Sequence, residues 1–304
     1  MKEAVYVFSG QGAQAVGMGQ DLCESSPAAS IIFEKADAAL GWSISDICFN
    51  GPEEKLKESR YCQPAIYTMS AACIAAFNEK YTDSRAMATA GLSLGEFAAL
   101  CVAGVFDFED GLKLIEKRGQ LMDEACRDTN GGMASVLGGN GEIIKEVCEE
   151  CGIDVANYNS PGQIVISGEK EKVTDAVKLL KEKGLRKIIP LRVAGAYHSR
   201  LMQGAADKFK DVIADVELKT PAIPVAQNFT GTFTKDVEEI RTNLVKQVAG
   251  SVLWEDCVHT LVGTGATQVI EFGPGNVLTG LVKRTVGHVA TANVNSTESL
   301  ENFK

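Results

Sequence analysis

Two hydrophobic periods alternate along the chain, and their alternation predicts an α/β protein. Residues 1–8 read as a strand, with alternation over 4–8, that runs into a glycine-rich stretch, Ser9-Gly10-Gln11-Gly12-Ala13-Gln14. From 21 to 50 the pattern is helical, with Ile31, Ile32, Phe33, Ala36 and Leu40 on one face. Pro52 opens a short helix. Gln63-Pro64 opens another over 65–80 that is apolar nearly all round and therefore expected to be buried. A short apolar run, 86–90, leads into Gly91-Leu92-Ser93-Leu94-Gly95 and then a helix from Glu96. Residues 109–125 form the next helix, with Leu112, Leu114, Ile115 and Leu121 apolar. Residues 128–132 read as a linker.

After that linker the rhythm changes. Strands over 133–137, 154–158, 163–167 and 187–193 enclose helices over 141–151 and 169–183, a β-α-β-β-α-β series. Gly195 to Met202 reads as a helix start, 220–225 as an edge strand because it holds Pro221 and Pro224. Helices over 237–248 and from Trp254, a strand over 268–272, the turn Gly273-Pro274-Gly275-Asn276 and a last helix to Lys283-Arg284 follow. The outer segments alternate β and α, which implies a parallel sheet covered on both faces. The expected architecture is an α/β-hydrolase-like large domain over residues 1–129 and 197–304. It is interrupted by a ferredoxin-like (βαββαβ) subdomain over residues 130–196.

Composition adds exclusions. With 304 residues, 45% of them hydrophobic, the chain has ample core for one large domain or two. No stretch approaches the roughly 18 to 20 apolar residues of a membrane span, and the N-terminal stretch lacks the features of a signal peptide. Nine cysteines, an odd number scattered through helical segments, suit a reducing cytoplasm. Cys148-Glu149-Glu150-Cys151 has no second pair and no nearby histidine, so neither metal nor redox chemistry is expected of it. A net charge of −10 argues against nucleic acid as a partner. Any acidic partner would have to dock on a local basic patch.

The candidate chemistry centres on Gly91-Leu92-Ser93-Leu94-Gly95. Strand, G-x-S-x-G, helix is the context of a nucleophile elbow, with Ser93 at the bend and the Leu94 N–H free to stabilise an oxyanion. The alternative is a turn in which Ser93 only caps the helix. If Ser93 needs an imidazole base, the chain offers only His198, His259 and His288. His259 falls within a helix and His288 in a loop near the C-terminus. His198, at a domain junction and after Ser93 in chain order, is the candidate. The first glycine-rich stretch does not fit G-x-G-x-x-G, so it reads as a loop presenting the Gln11 amide rather than a dinucleotide site. Arg118, taken alone, reads as a solvated or ion-paired surface residue.

Seven stretches in order resemble the malonyl-CoA:acyl carrier protein transacylases, the acyltransferases of fatty-acid and polyketide synthesis. They are Phe8 to Gln14, Gly91 to Phe97, Arg118 to Met122, Asn157 to Gly168, Ala196 to Met202, Gln247 with Val252 to Trp254, and Glu271 to Gly280. The resemblance implies a ping-pong reaction. Ser93, activated by His198, takes malonyl from malonyl-CoA and passes it to the phosphopantetheine thiol of acyl carrier protein, with no bound cofactor and no metal. It further implies that the Gln247 carbonyl orients His198, that the amides of Gln11 and Leu94 form the oxyanion hole, and that Arg118 holds the malonyl carboxylate. Three positions depart from the family. Leu92 stands where histidine is usual, Tyr197 where phenylalanine is common beside the acyl pocket, and Ser9 where proline would stiffen the oxyanion loop. A basic rim for the acidic carrier is expected at Lys181, Lys183, Arg186 and Lys187 and at Lys283 and Arg284, residues that otherwise read as a solvated face. Fatty-acid synthesis in the cytoplasm, by a monomer, is the expected role. The alternatives are a free-standing acyltransferase for polyketide synthesis and a hydrolase of carrier-bound thioesters.

Overall fold

In the computed structural model, which describes residues 4–303, the first strand β1 (Ala4–Phe8) is buried along its whole length. Met1, Lys2 and Glu3 of the expected strand lie outside the described residues. Ala4, Tyr6 and Phe8 enter one apolar cluster, Val5 and Val7 another. Alternation therefore divides β1 between two cores rather than between core and water, as in a parallel sheet covered on both faces.

Between β1 and the second strand lie α1 (Gln20–Ser25), α2 (Pro27–Leu40), α3 (Ile44–Asn50), α4 (Glu53–Lys57) and α5 (Ser59–Lys80). The single helical pattern expected over 21–50 is cut into three. The Ser26 side chain caps α2, with Pro27 as its first residue, Gly41 ends it at φ 71°, and Ser43 caps α3. The helix expected over 65–80 starts earlier, at Ser59, and holds Pro64 inside it. Fifteen of its residues are buried, as its all-round apolar pattern requires.

The chain continues through β2 (Ala86–Gly91), α6 (Gly95–Val102) and α7 (Phe108–Asp128). Then come β3 (Gly131–Leu137), α8 (Gly141–Cys151), β4 (Asp154–Ser160), β5 (Gln163–Glu169), α9 (Lys170–Glu182) and β6 (Lys187–Pro190). Gly131 and Gly132, expected in a linker, already pair with β5. Beyond β6, a 3₁₀ turn (Arg200–Met202) precedes α10 (Gln203–Ala214). The helix start expected at Gly195 is instead a tight turn through Tyr197 and His198. The remaining elements are β7 (Val225–Ala226), α11 (Val237–Ala249), β8 (Val252–Leu253), α12 (Trp254–Val262), β9 (Gln268–Phe272), α13 (Val277–Thr285), β10 (Ala290–Val294) and α14 (Thr297–Glu301). Of the edge strand expected over 220–225 only the end is strand, since β7 begins after Pro224.

Two sheets result. The first, in the order β10-β9-β1-β2-β7, is parallel throughout. The second, in the order β6-β3-β5-β4-β8, is antiparallel except that β8 joins β4 in parallel. Phe8 is level with Gly91 on one side and with Phe272 on the other. The loops that leave β1, β2 and β9 therefore meet at one edge of the sheet, the carboxyl ends of its strands, where open α/β sheets hold their ligands. Behind that edge Tyr6, Phe77 and Phe272 pack edge to face, with α5 laid against α2 and α7.

Candidate active site

The turn after β2 is as tight as its glycines require. A Cβ on Gly91 would lie 1.9 Å from the Gly95 carbonyl, and one on Gly95 would lie 2.3 Å from the Phe8 oxygen. No side chain fits at either place, so the turn is folded on itself and pressed against the end of β1. Ser93, at its apex, has φ 53°, a left-handed conformation that costs a non-glycine residue about 1–3 kcal/mol. Two buried side chains hold it there. The Ser93 N–H donates to Asn228 Oδ1 at 2.6 Å, and its carbonyl accepts from Gln247 Nε2 at 2.9 Å.

His198 reaches the same point from the turn before α10, itself at φ 55°. Its Nε2 lies 2.8 Å from Ser93 Oγ, and its Nδ1 lies 2.8 Å from the Gln247 carbonyl oxygen. A carbonyl can only accept, so Nδ1 carries the proton and Nε2 is left bare to take one from Ser93. Burial, and then the charge of Arg118, push the imidazole down to about 4. It is neutral at pH 7 and ready to act as a base.

Arg118 is not on the surface. It is 1% exposed, on the inward face of α7. Nη1 donates to Gln63 Oε1 at 2.7 Å, while Nη2 donates to Gln247 Oε1 at 2.8 Å and to Ser93 Oγ at 3.1 Å. Burial lowers its pKa to about 10, so it remains a cation. Among the described residues no carboxylate forms a salt bridge with it, and its Nε has no hydrogen-bond partner. The site thus holds a buried cation, paired with neutral oxygens only, at the nucleophile itself. The solvated reading of Arg118 failed because its burial comes from α5 and α11, which are distant in sequence.

The Leu94 N–H stands at the start of α6, and the Gln11 N–H in the loop after β1. Neither has a protein acceptor among the described residues, as oxyanion-hole donors require. Ser9 departs from the expectation of a loose loop. It is buried, its N–H donates to the Phe272 oxygen at 3.2 Å, and its hydroxyl donates to the Pro274 oxygen at 3.0 Å. Gln11, Leu92, Ser93, Tyr197 and His198 face a cleft of about 850 Å³ between the two sheets. The Tyr197 hydroxyl pairs with Ser59 Oγ at 2.8 Å. Leu92 sets an apolar side chain at the cleft wall.

None of the six cations expected to receive a carrier lines this cleft. Lys181, Lys183, Arg186 and Lys187 are exposed around the end of α9 and on β6, and Lys283 and Arg284 are exposed at the end of α13. Arg284 does reach Gln163, which faces the cleft. Arg192 and Lys57, not singled out in the sequence, lie on the cleft walls. His259 and His288 are exposed and take no part. The described residues contain no cluster of side chains suited to a metal ion and no helix long and apolar enough to cross a membrane. Sequence reasoning also missed Gln63, Asn228 and Glu96. Gln63 was legible only as a helix opener, Glu96 only as a helix former, and Asn228 carries no local pattern.

Comparison with known proteins matches this geometry to a family. The model of the acyl transferase domain matches residues 5–302. A malonyl CoA-acyl carrier protein transacylase from Bacillus subtilis is 38% identical over 99% of this chain and 96% of its own. The crystal structure of an acyl carrier protein S-malonyltransferase from Vibrio cholerae superposes with a TM-score of 0.95 at 37% identity, covering 100% of both chains. A malonyl-transacylase solved with a type II polyketide-synthase acyl-carrier protein gives a TM-score of 0.95 at 38% identity over 99% of this chain and 98% of that one. With its elbow serine, its imidazole and its fold all accounted for, the chain belongs to the acyl transferase domain family.

Proposed function

We propose that this protein transfers the malonyl group of malonyl-CoA to the phosphopantetheine thiol of an acyl carrier protein, through a malonyl ester of Ser93, in fatty-acid synthesis. The observation that carries the reading is that one hydroxyl, Ser93 Oγ, is 2.8 Å from a neutral imidazole and 3.1 Å from a buried guanidinium. A serine–histidine pair supplies acyl transfer; the cation supplies a place for the substrate's free carboxylate.

In the first half-reaction His198 Nε2 takes the Ser93 proton as Oγ attacks the thioester carbon. The N–H groups of Leu94 and Gln11 hold the oxyanion. Collapse of the tetrahedral intermediate breaks the carbon–sulfur bond, and the imidazolium returns its proton to the departing CoA thiolate. The carrier thiol then gives its proton to His198 and attacks the ester carbonyl, and Ser93 is protonated as it leaves. Gln247 serves twice, its backbone carbonyl toward His198 and its side-chain oxygen toward Arg118. The malonyl carboxylate takes up Arg118 in place of neutral acceptors such as Gln63 Oε1. Tyr197 and Leu92 shape the wall around the acyl carbon.

The two sheets support a reading as two units, an α/β-hydrolase-like one from residues 1–129 and 197–304 and a ferredoxin-like one from 130–196. The cleft between them receives the acyl thioester.

Intact-protein mass after brief mixing with malonyl-CoA or acetyl-CoA tests the proposal. Wild type is expected to gain a malonyl adduct on Ser93 at least about 10²-fold faster than an acetyl one. That corresponds to about 3 kcal/mol for leaving the cation without a counter-charge. Arg118→Ala is expected to lose the preference by loading malonyl slowly. Steady CoA release with no adduct would make water the acceptor and the protein a hydrolase. Equal loading of both acyl groups by wild type would remove Arg118 as the carboxylate's partner.

A further inference from the structure

We propose that Glu96 and Asn228 are positioning residues for acyl transfer. Glu96 fixes the amides of Gln247 and Asn228, and these in turn hold the nucleophile and its base. The inference rests on Ser93 and His198 acting as nucleophile and base.

Glu96 lies in the first turn of α6, fully buried beneath the elbow. One of its oxygens, Oε2, accepts from Gln247 Nε2 at 2.7 Å and from the Asn228 backbone N–H at 3.0 Å. From that oxygen two arms run to Ser93. In the first, Asn228 takes the Ser93 N–H on its Oδ1 and donates its Nδ2 to the Gly91 carbonyl at 2.8 Å. The arm spans the turn from its first glycine to its apex. In the second, Gln247 Nε2 divides its two hydrogens between the Ser93 carbonyl and Glu96.

The second arm also fixes the sense of the Gln247 amide. Its oxygen faces Arg118 and its nitrogen faces Glu96. A flip would set oxygen against a carboxyl oxygen and N–H against a guanidinium, losing hydrogen bonds at both ends. Glu96 and Arg118 together therefore permit one orientation. The same residue's backbone carbonyl holds His198 Nδ1, so the lock reaches the base as well.

The other Glu96 oxygen, Oε1, has no partner among the described residues. A proton carried there leaves Oε2 free to accept both bonds, so the arrangement needs an acceptor rather than a charge. Burial, which raises this carboxyl to about 7, is consistent with that role. Glutamine can replace the group, with its oxygen in the place of Oε2; alanine cannot.

The test is the second-order rate of Ser93 labelling by phenylmethylsulfonyl fluoride, followed by intact mass between pH 3 and 8. This probe needs no malonyl group. The ionisable groups facing His198 are Arg118 from α7 and, across Gln247, Glu96 from α6. Glu96→Ala is expected to slow labelling at pH 7 by about 10²-fold, the usual cost of a small misplacement of reacting groups. Its acid limb is expected to move further down, because the Gln247 carbonyl, whose hydrogen bond favours the protonated ring, loses its hold. Glu96→Gln is expected to stay within about 3-fold of wild type, since it restores the acceptor. Asn228→Ala removes only the first arm and is expected to slow labelling while leaving the acid limb in place. If Glu96→Ala does not fold, Glu96→Met, which fills the volume without an acceptor, carries the same expectation. Wild-type rates in the alanine and methionine variants, a glutamine variant as slow as the alanine one, or an acid limb moved by Asn228→Ala would each overturn the inference. A wild type that is never labelled would overturn it together with the nucleophilic role of Ser93.

Discussion

His198 and Glu96 sit in one buried hydrogen-bonded cluster, and burial moves their pKa values in opposite directions. The imidazole is lowered from 6.5 to about 4, so its neutral form is the one the fold prefers. Its contribution to stability is present above pH 6.5 and is lost as pH falls from 6.5 through 4. The carboxyl is raised from 4.5 to about 7, so the fold prefers it protonated. Its contribution is full below pH 4.5 and is lost as pH rises through 7. In the wild type the two partly cancel between pH 4.5 and 6.5. Removing either one exposes the other. Relative to wild type, His198→Gln is expected to gain stability as the pH is lowered from 7 to 4.5, and Glu96→Gln to lose it, each on the order of 2 kcal/mol across the window. Urea midpoints measured every half pH unit check the sign, and parallel profiles for the two variants would contradict it. At this scale the sequence singled out Ser93 and His198, which the structure sets 2.8 Å apart. Three histidines and one G-x-S-x-G left few choices. It did not disclose Gln63, Asn228 or Glu96, because their roles come from partners 55, 135 and 151 positions away. No local spacing records such a pairing.

Among the elements, the strand–turn–helix of residues 86–102 is the most constrained and was the most legible. Its glycines have a steric cause that the sequence alone suggests and the geometry sets in numbers. Gly91→Ala is expected to destabilise the protein by at least about 3 kcal/mol, because the added Cβ meets backbone that cannot yield without opening the turn. The check is a urea midpoint together with the rate of Ser93 labelling. A variant with wild-type stability and labelling would show that the turn is not set by that contact. Elements whose form depends on tertiary contacts were read less well. The residues around His198 look like a helix start, yet Tyr197 is tied to Ser59 and His198 to Gln247, and the helix waits until Gln203. Likewise Ser9 reads as a loosening substitution, but the β9–α13 loop offers it the Pro274 carbonyl, which a proline at position 9 could not use as a donor's partner. In both cases a hydrogen bond to a distant segment outweighs the local propensity.

For the molecule as a whole, a net charge of −10 means that an acidic partner would have to be received on a local basic patch. On the function proposed above, the thioester enters the cleft between the sheets and the docking surface borders the cleft mouth. Arg284 meets that condition through Gln163, and Lys283 is its neighbour at the end of α13. Lys181 and Lys183, at the end of α9, do not line the cleft. The basic rim expected from sequence therefore divides in two, and we propose the α13 pair for docking because Arg284 touches a residue of the cleft wall. Charge reversal at Lys283 and Arg284 together is expected to lower the second-order rate of malonyl transfer to the carrier about 10-fold at low salt. The loss should shrink as salt screens the pair. Reversal at Lys181 and Lys183 is expected to change that rate by less than about 2-fold, as exposed charges away from an interface do. Loading of Ser93 from malonyl-CoA, measured in the same preparations, separates carrier docking from chemistry. Equal losses at the two sites would mean that the carrier approaches across the second sheet, over β6, and that the α9 lysines border its path.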